Sequence, residues 1–255
     1  MRYVSTSIAL TLLLFSRSLA EPSPGPKTVY WESAHLAATK NRLQDADQGL
    51  QDALAKLRKN AALALTHGPY SVTQKQELPP SGDKHDYLSY SRYWWPNPDT
   101  PDGLPYVRHD GKTNVEMRSK GDRDQIGQLV DDLESLALAY YFFEEEKYAN
   151  RACLLIRTWL LNPETKMNPH LRYGQAVPGR SEGRGVGILD TRGFIILLDC
   201  VALLSKSPSF STADQQACSN GLPSILIGCG PANWAKRKAL QKTITAAGTP
   251  LRLPA

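Results

Sequence analysis

The chain has 255 residues, with 30 Lys and Arg against 25 Asp and Glu, a formal net charge of +5 and a sequence pI near 9.0. That length excludes a stapled mini-protein and supports one sizeable domain with its own core. The basic residues are scattered rather than blocked, so charge by itself does not choose among a polyanionic sugar, nucleic acid and no anionic partner.

The first twenty residues read as an export signal. Arg2 supplies a positive start, Ile8 to Phe15 is apolar, and Ser18 and Ala20 place small residues at the cleavage-determining positions. Glu21-Pro22-Ser23-Pro24 then ends any helix, and the apolar run is too short to span a bilayer. The expectation is a signal peptide over 1–20, cleavage after Ala20, and a periplasmic or secreted product with no membrane association after cleavage. Of the four cysteines, Cys153 and Cys200 sit in apolar helical runs and read as buried thiols; no disulfide framework is expected.

From Val29 to Leu65 the chain favours helix, with Leu50, Leu54, Leu57 and Ala61 on one face and Gly68-Pro69 as the stop. Residues 69 to 122 form a long loop whose five Tyr and two Trp argue against disorder. Helical period resumes at Arg123, where Ile126, Leu129, Val130, Leu133, Leu136, Ala137 and Tyr140 share a face. A further helix is predicted over Lys147–Leu161, followed by a Gly-rich irregular segment over 163–189. Asp190 reads as the N-cap of an apolar helix reaching about Ser205, and Ser211 with Asp214 as a capping box. No strand alternation stands out. The class is all-α, with paired helices and two long functional loops.

Those two loops carry the most specific residues. The first runs from His85-Asp86-Tyr87 through Tyr93-Trp94-Trp95-Pro96 to Asp102-Gly103-Leu104-Pro105-Tyr106, Arg108, Asp110-Gly111-Lys112 and Asn114. The second runs from Asn168-Pro169-His170 through Tyr173-Gly174-Gln175 and Pro178-Gly179-Arg180 to Glu182-Gly183-Arg184-Gly185 and Gly187-Ile188-Leu189-Asp190. Together, over roughly Thr28 to Gln216, they resemble the alginate lyase family of helical-barrel polysaccharide lyases. The resemblance implies an incomplete (α/α) barrel or toroid of helical hairpins. It also implies β-elimination on an acidic polysaccharide such as alginate or a related polyuronate, with no cofactor and no nucleic-acid partner.

The residue types suit that substrate. Sugar rings stack on aromatic faces, while uronate carboxylates take Arg or amide donors. Tyr87, Trp94, Trp95 and Tyr173 are candidate platforms, and Gln175, Arg180 and Arg184 candidate carboxylate and hydroxyl holders. One of the two Trp is equally expected to pack the loop down, and Arg184 to bridge to Asp190. His170 is a weak catalytic candidate, and His85 beside Asp86 is expected to order its loop. No metal-spaced cluster, phosphate loop or nucleophile elbow occurs.

In the family the catalytic work falls to an Asn-His pair in an Asn-Asn-His-Gly-[Ser/Thr]-Trp-like motif and to a later Arg and Tyr. This reading frame lacks that motif. Cys218 to Pro223 is expected to break the helix begun at Ser211, leaving a Gly/Pro/Thr-rich tail. The genetic code offers an explanation: in the frame that starts on each third base, Lys242 to Thr249 permits Asn-Asn-His-Gly-Ser-Trp-Tyr. The expected organisation is therefore a signal over 1–20, a lyase-like helical domain over 21–216, and an aberrant, frameshifted tail over 217–255 with weak or no activity. Alternatives are a non-catalytic periplasmic carbohydrate-binding protein and a helical-barrel glycoside hydrolase.

Overall fold

The structure is a computed structural model that describes residues 26–45 and 47–227. The signal segment and the tail from residue 228, including the shifted-frame motif and Cys229, lie outside the described residues. Helix dominates: α1 (Ser33–Gln44), α2 (Gln51–Ala64), the short α3 (Val115–Ser119), α4 (Arg123–Phe143), α5 (Glu146–Ile156), α6 (Phe194–Leu204) and α7 (Thr212–Ile227).

The core is built around α4, which packs against α2, α5 and α6. Its buried Ile126, Leu129, Leu133, Leu136 and Ala137 are the stripe that the periodicity marks. Ala61 and Ala64 on α2 and Ala149 and Ala152 on α5 have no exposed surface, and small side chains let helices approach closely. Gly193 serves the same end at the start of α6, where an added Cβ would lie 2.9 Å from Val130 Cγ1. At the far end of α4, Glu144 takes the left-handed conformation (φ 56°) and returns its N–H to Tyr140.

Several boundaries differ from expectation. The first helix starts at Ser33 rather than Val29. The N–H groups of Val29, Tyr30 and Trp31 instead donate to the buried Asp199 carboxylate on α6, at 2.6, 2.9 and 2.8 Å. That helical stretch is also split, because the Asp47 carboxylate accepts from Gly49 N (2.7 Å) and starts a separate turn. After Ile156 the helix widens into a π-turn over Arg157–Leu161, with Trp159 buried.

Ser211 and Asp214 do form a reciprocal capping box, each backbone N–H donating to the other's side chain at 3.1 Å. The helix that follows is not broken after Gln216, however, and runs to Ile227. Cys218 is 1% exposed on α7 and joins the core, so the expected breaker segment begins with a residue that extends the apolar seam.

The all-α expectation needs one amendment. Two minimal sheets form inside the loops: β1 (Leu88–Tyr90) pairs in parallel with β4 (Tyr173–Ala176), and β2 (Trp94–Trp95) pairs antiparallel with β3 (Val107–Arg108). The first of these joins the two loops directly.

Candidate active site

The foundation lies beneath β1. Asp122, at the entrance to α4, accepts from Leu88 N (2.8 Å) and pairs with Lys75 Nζ (3.2 Å), both side chains being buried. The other Asp122 oxygen has no hydrogen-bond partner. Burial raises the Asp122 carboxyl to about 6 against the pull of Lys75, while burial lowers Lys75. Gly121 permits this seat: it has φ +79°, and a Cβ there would lie 2.4 Å from Leu88 O.

Asp190 ties the two loops together. Its buried carboxylate accepts from Tyr87 Oη (3.1 Å), Ser89 Oγ (2.6 Å), Gln175 Nε2 (2.8 Å) and the Arg123 guanidinium. Ser89 Oγ also accepts from Gln175 N (2.8 Å), with Gln175 held at φ 56°. This corrects five sequence expectations. Asp190 is not a helix cap, since α6 begins at Phe194 and Asp190 lies in a preceding 3-10 segment. Arg184 does not bridge to Asp190; Arg123 does. Tyr87, with no exposed surface, is not a sugar platform, and burial pushes its hydroxyl far above the usual tyrosine range. Gln175 spends its amide on Asp190 rather than on a ligand. Tyr173, 4% exposed on β4, is likewise scaffold. For Tyr87, Tyr173 and Gln175, the pairing of β1 with β4 turns inward a side chain that a loop would have exposed.

Asp86 forms a second tie. It accepts from Ser81 Oγ (2.7 Å) and Asn168 Nδ2 (2.7 Å), and His170 Nε2 lies 2.9 Å from it. His170 Nδ1 accepts from Arg172 N at 3.4 Å. With both ring nitrogens occupied, His170 is an anchor for the second loop rather than a free base. His85 orders its loop as expected, its Nδ1 lying 2.8 Å from Lys166 O.

Above these anchors sits a cavity of about 440 Å³ lined by Glu77, Leu88, Tyr90, Ala176, Arg180 and Glu182 among others. Trp94 and Trp95 are half-buried on β2, Trp94 meeting the cavity-lining Arg180, with Asn114 Nδ2 holding Trp94 O at 2.9 Å. Trp95 meets His109 edge-on, with ring centroids 6.3 Å apart. The exposed Arg180 lies 5.2 Å over the Trp94 ring and donates from Nε to Tyr106 O (2.7 Å). Arg184 Nε donates to Gln175 O (2.8 Å); burial, then the positive charge of Arg108, lowers its pKa. Arg108 itself lies opposite Trp94 in the β2–β3 register. Arg180 over the Trp94 ring, with Arg108 (itself paired with Asp110 at 2.8 Å) opposite Trp94 and Arg184 within reach of the Arg108 charge, makes a setting that favours an anion.

Two cavity residues escaped sequence reasoning. Tyr90 donates to the Glu77 carboxylate, and burial followed by that neighbouring charge raises its pKa. Tyr90 lies two residues after Leu88, so recognising β1 as a strand would have placed both on the cavity face. Glu77 carries no comparable signal. Among the described residues no group of three or more His, Cys, Asp or Glu is placed to hold a metal ion.

The geometry meets known proteins at this point. The family model for alginate lyase matches residues 71–228, which includes both loops. The crystal structure of an alginate lyase from Bacteroides ovatus is similar, with a TM-score of 0.71 and 33% identity over 86% of this chain. The chain covers 64% of that structure's length. No curated protein matches. With more than half its length matched by one family model and a similar structure behind it, the chain belongs to the alginate lyase family.

Proposed function

We propose that the protein is an exported polysaccharide lyase that grips a uronate polymer, such as alginate, in the groove where the two loops meet. The observation that carries this reading is the β1–β4 pairing, which sets the cavity beside Trp94 and the Arg108, Arg180 and Arg184 guanidinium groups. Trp94 supplies a face for the sugar ring, and the arginines neutralise carboxylates.

Neutralisation matters because the proton at C5, next to the carboxylate, becomes removable only when the enolate-like intermediate is stabilised. A base takes that proton while an acid protonates the departing glycosidic oxygen, leaving an unsaturated end. Tyr90, a cavity-lining hydroxyl held by Glu77, is the side chain placed for the acid role. The family's Asn-His motif is missing from this reading frame. The chain as encoded therefore binds polymer with little or no turnover, and its helices are part of an (α/α) toroid that a shifted frame beginning near Ala217 interrupts.

The test compares the 255-residue chain with a frame-restored version on alginate and on glucuronan, following ultraviolet absorbance of the unsaturated product. The expected result is strong absorbance growth for the restored chain and little for the encoded one. Brisk turnover by the encoded chain overturns the inactivity. Binding by both without turnover favours a carbohydrate-binding protein. New reducing ends without absorbance favour a hydrolase, for which Glu77 and Glu182 in one cavity are the available carboxylates.

A further inference from the structure

We propose that Glu77 and Glu182 make the cavity at the meeting of the two loops a reader of free sugar hydroxyls, so that it takes an unsubstituted polyuronate and turns O-acylated uronates away. The selectivity rests on the groove being the polymer site proposed above, and it follows from which polar groups in the cavity are already spent. Pro80, Leu88, Ala176, Val177 and Pro178 bring no polar side chain. The carbonyls of Leu88, Ala176, Val177 and Pro178 accept from the N–H groups of Asp122, Ser91, Ser181 and Tyr106 at 2.8, 3.0, 2.9 and 3.1 Å. Ser181 Oγ donates to Gly183 O at 2.6 Å, and Tyr90 Oη donates to one Glu77 oxygen. Three groups are left over: the second Glu77 oxygen, the Nη atoms of Arg180 and the Glu182 carboxylate. The last has no hydrogen-bond or ion-pair partner among the described residues.

Ionised carboxylates only accept, so the two glutamates ask the ligand for hydrogen-bond donors. A uronate ring supplies donors from unsubstituted hydroxyls alone. Its carboxylate is an acceptor and turns instead to the Arg180 guanidinium beside Trp94. An O-acyl ester replaces the donor with a carbonyl oxygen, setting acceptor against acceptor. The floor does not compensate by holding the acyl methyl, because Leu88, Ala176 and Val177 are 1%, 5% and 2% exposed and offer little apolar surface. Where such acceptors are buried, losing the hydroxyl partner costs about ten-thousandfold in specificity. Glu77 and Glu182 are exposed and keep water, so the expected discrimination is about tenfold. A polymer that arrives acylated must therefore first meet an ester hydrolase. Water adds to the acyl carbon, the bond from that carbon to the sugar oxygen breaks, the carboxylic acid leaves and the sugar oxygen keeps a proton.

The experiment is calorimetric titration of the full 255-residue chain with a saturated uronate tetrasaccharide and with the same tetrasaccharide O-acetylated, repeated with Glu182→Gln and Glu77→Gln. The native chain should bind the unsubstituted ligand about tenfold more tightly. A glutamine offers an N–H to the acyl carbonyl, so Glu182→Gln should tighten the acetylated ligand and narrow the ratio to about threefold or less. Glu77→Gln should narrow it less, since Tyr90 already holds one of its oxygens. Equal affinity for the two ligands, or a preference that neither substitution moves, overturns the selectivity and leaves the polymer site standing. Failure of the native chain to bind either ligand overturns the polymer site and the selectivity with it. The native ratio needs no variant, and both substitutions fall on exposed side chains.

Discussion

Replacing Asp190 by Ala removes the acceptor for four donors at once. Tyr87 Oη, Gln175 Nε2 and the Arg123 guanidinium lose their shared partner, and the side chain they face has no exposed surface for water to occupy. Neutral hydrogen bonds contribute about 1 kcal/mol each and charge-assisted ones about 1.5–3 kcal/mol. Arg123 is partly exposed and recovers some hydration, so the net loss is about 4 kcal/mol, a large fraction of the roughly 5–15 kcal/mol that holds a domain together. Asp190→Asn keeps one acceptor and the shape, and should lose about half as much. With a urea slope of about 2 kcal/mol per molar, the Ala variant shifts the midpoint by about 2 M at unchanged slope. Far-ultraviolet circular dichroism and tryptophan fluorescence would both follow it. A double-mutant cycle with Arg123→Ala should return a coupling of at least about 1 kcal/mol. A midpoint shift below about 0.5 M for Asp190→Ala would refute the claim that this carboxylate joins the loops.

Three further outcomes follow from named contacts. Asp199→Ala should release the 29–31 segment, costing about 2–3 kcal/mol and abolishing amide-exchange protection at Val29, Tyr30 and Trp31. Asp122 has its folded pKa raised from 3.8 to about 6, so the folded state holds a proton that the unfolded state has lost. Its contribution to stability therefore falls as pH rises from about 4 to about 6, and Asp122→Asn should flatten that part of a stability–pH curve. In Gly183→Ala the new Cβ would sit 1.8 Å from the Arg172 carbonyl oxygen, so the second loop cannot keep its path. Polymer binding measured by calorimetry should fall at least tenfold while far-ultraviolet helix content stays near that of the parent.

The legible and illegible parts of this molecule divide by the range of the interactions that decide them. Helix α4 is written in its own residues, because a stripe from Ile126 to Tyr140 needs only a partner surface to bury it. The same holds for the Ser211–Asp214 cap, whose donors and acceptors lie within one turn. By contrast β1, β2 and β3 are two or three residues long, too short for alternation to register, and β1 finds its partner some 85 residues later in the chain, at Leu88↔Tyr173. That single pairing decides which loop aromatics face solvent. It explains why Trp94 and Arg180 stay available while Tyr87, Tyr173 and Gln175 become scaffold. The late start of α1 has a similar origin, since only Asp199, far along the chain, draws the Val29–Trp31 amides out of helix. Burial of Cys218 also rests on the packing of α7 against the π-turn over Arg157–Leu161 and against α6, which local composition does not announce.

The central claim is that the groove between the paired loops receives an acidic glycan. Hydrogen exchange of the encoded chain, with and without a saturated uronate oligosaccharide, tests it most directly. The account predicts added protection over residues 88–95 and 173–184, lost with salt and with Arg180→Gln. Protection confined to the helices, or unchanged exchange at saturating oligosaccharide, would contradict it.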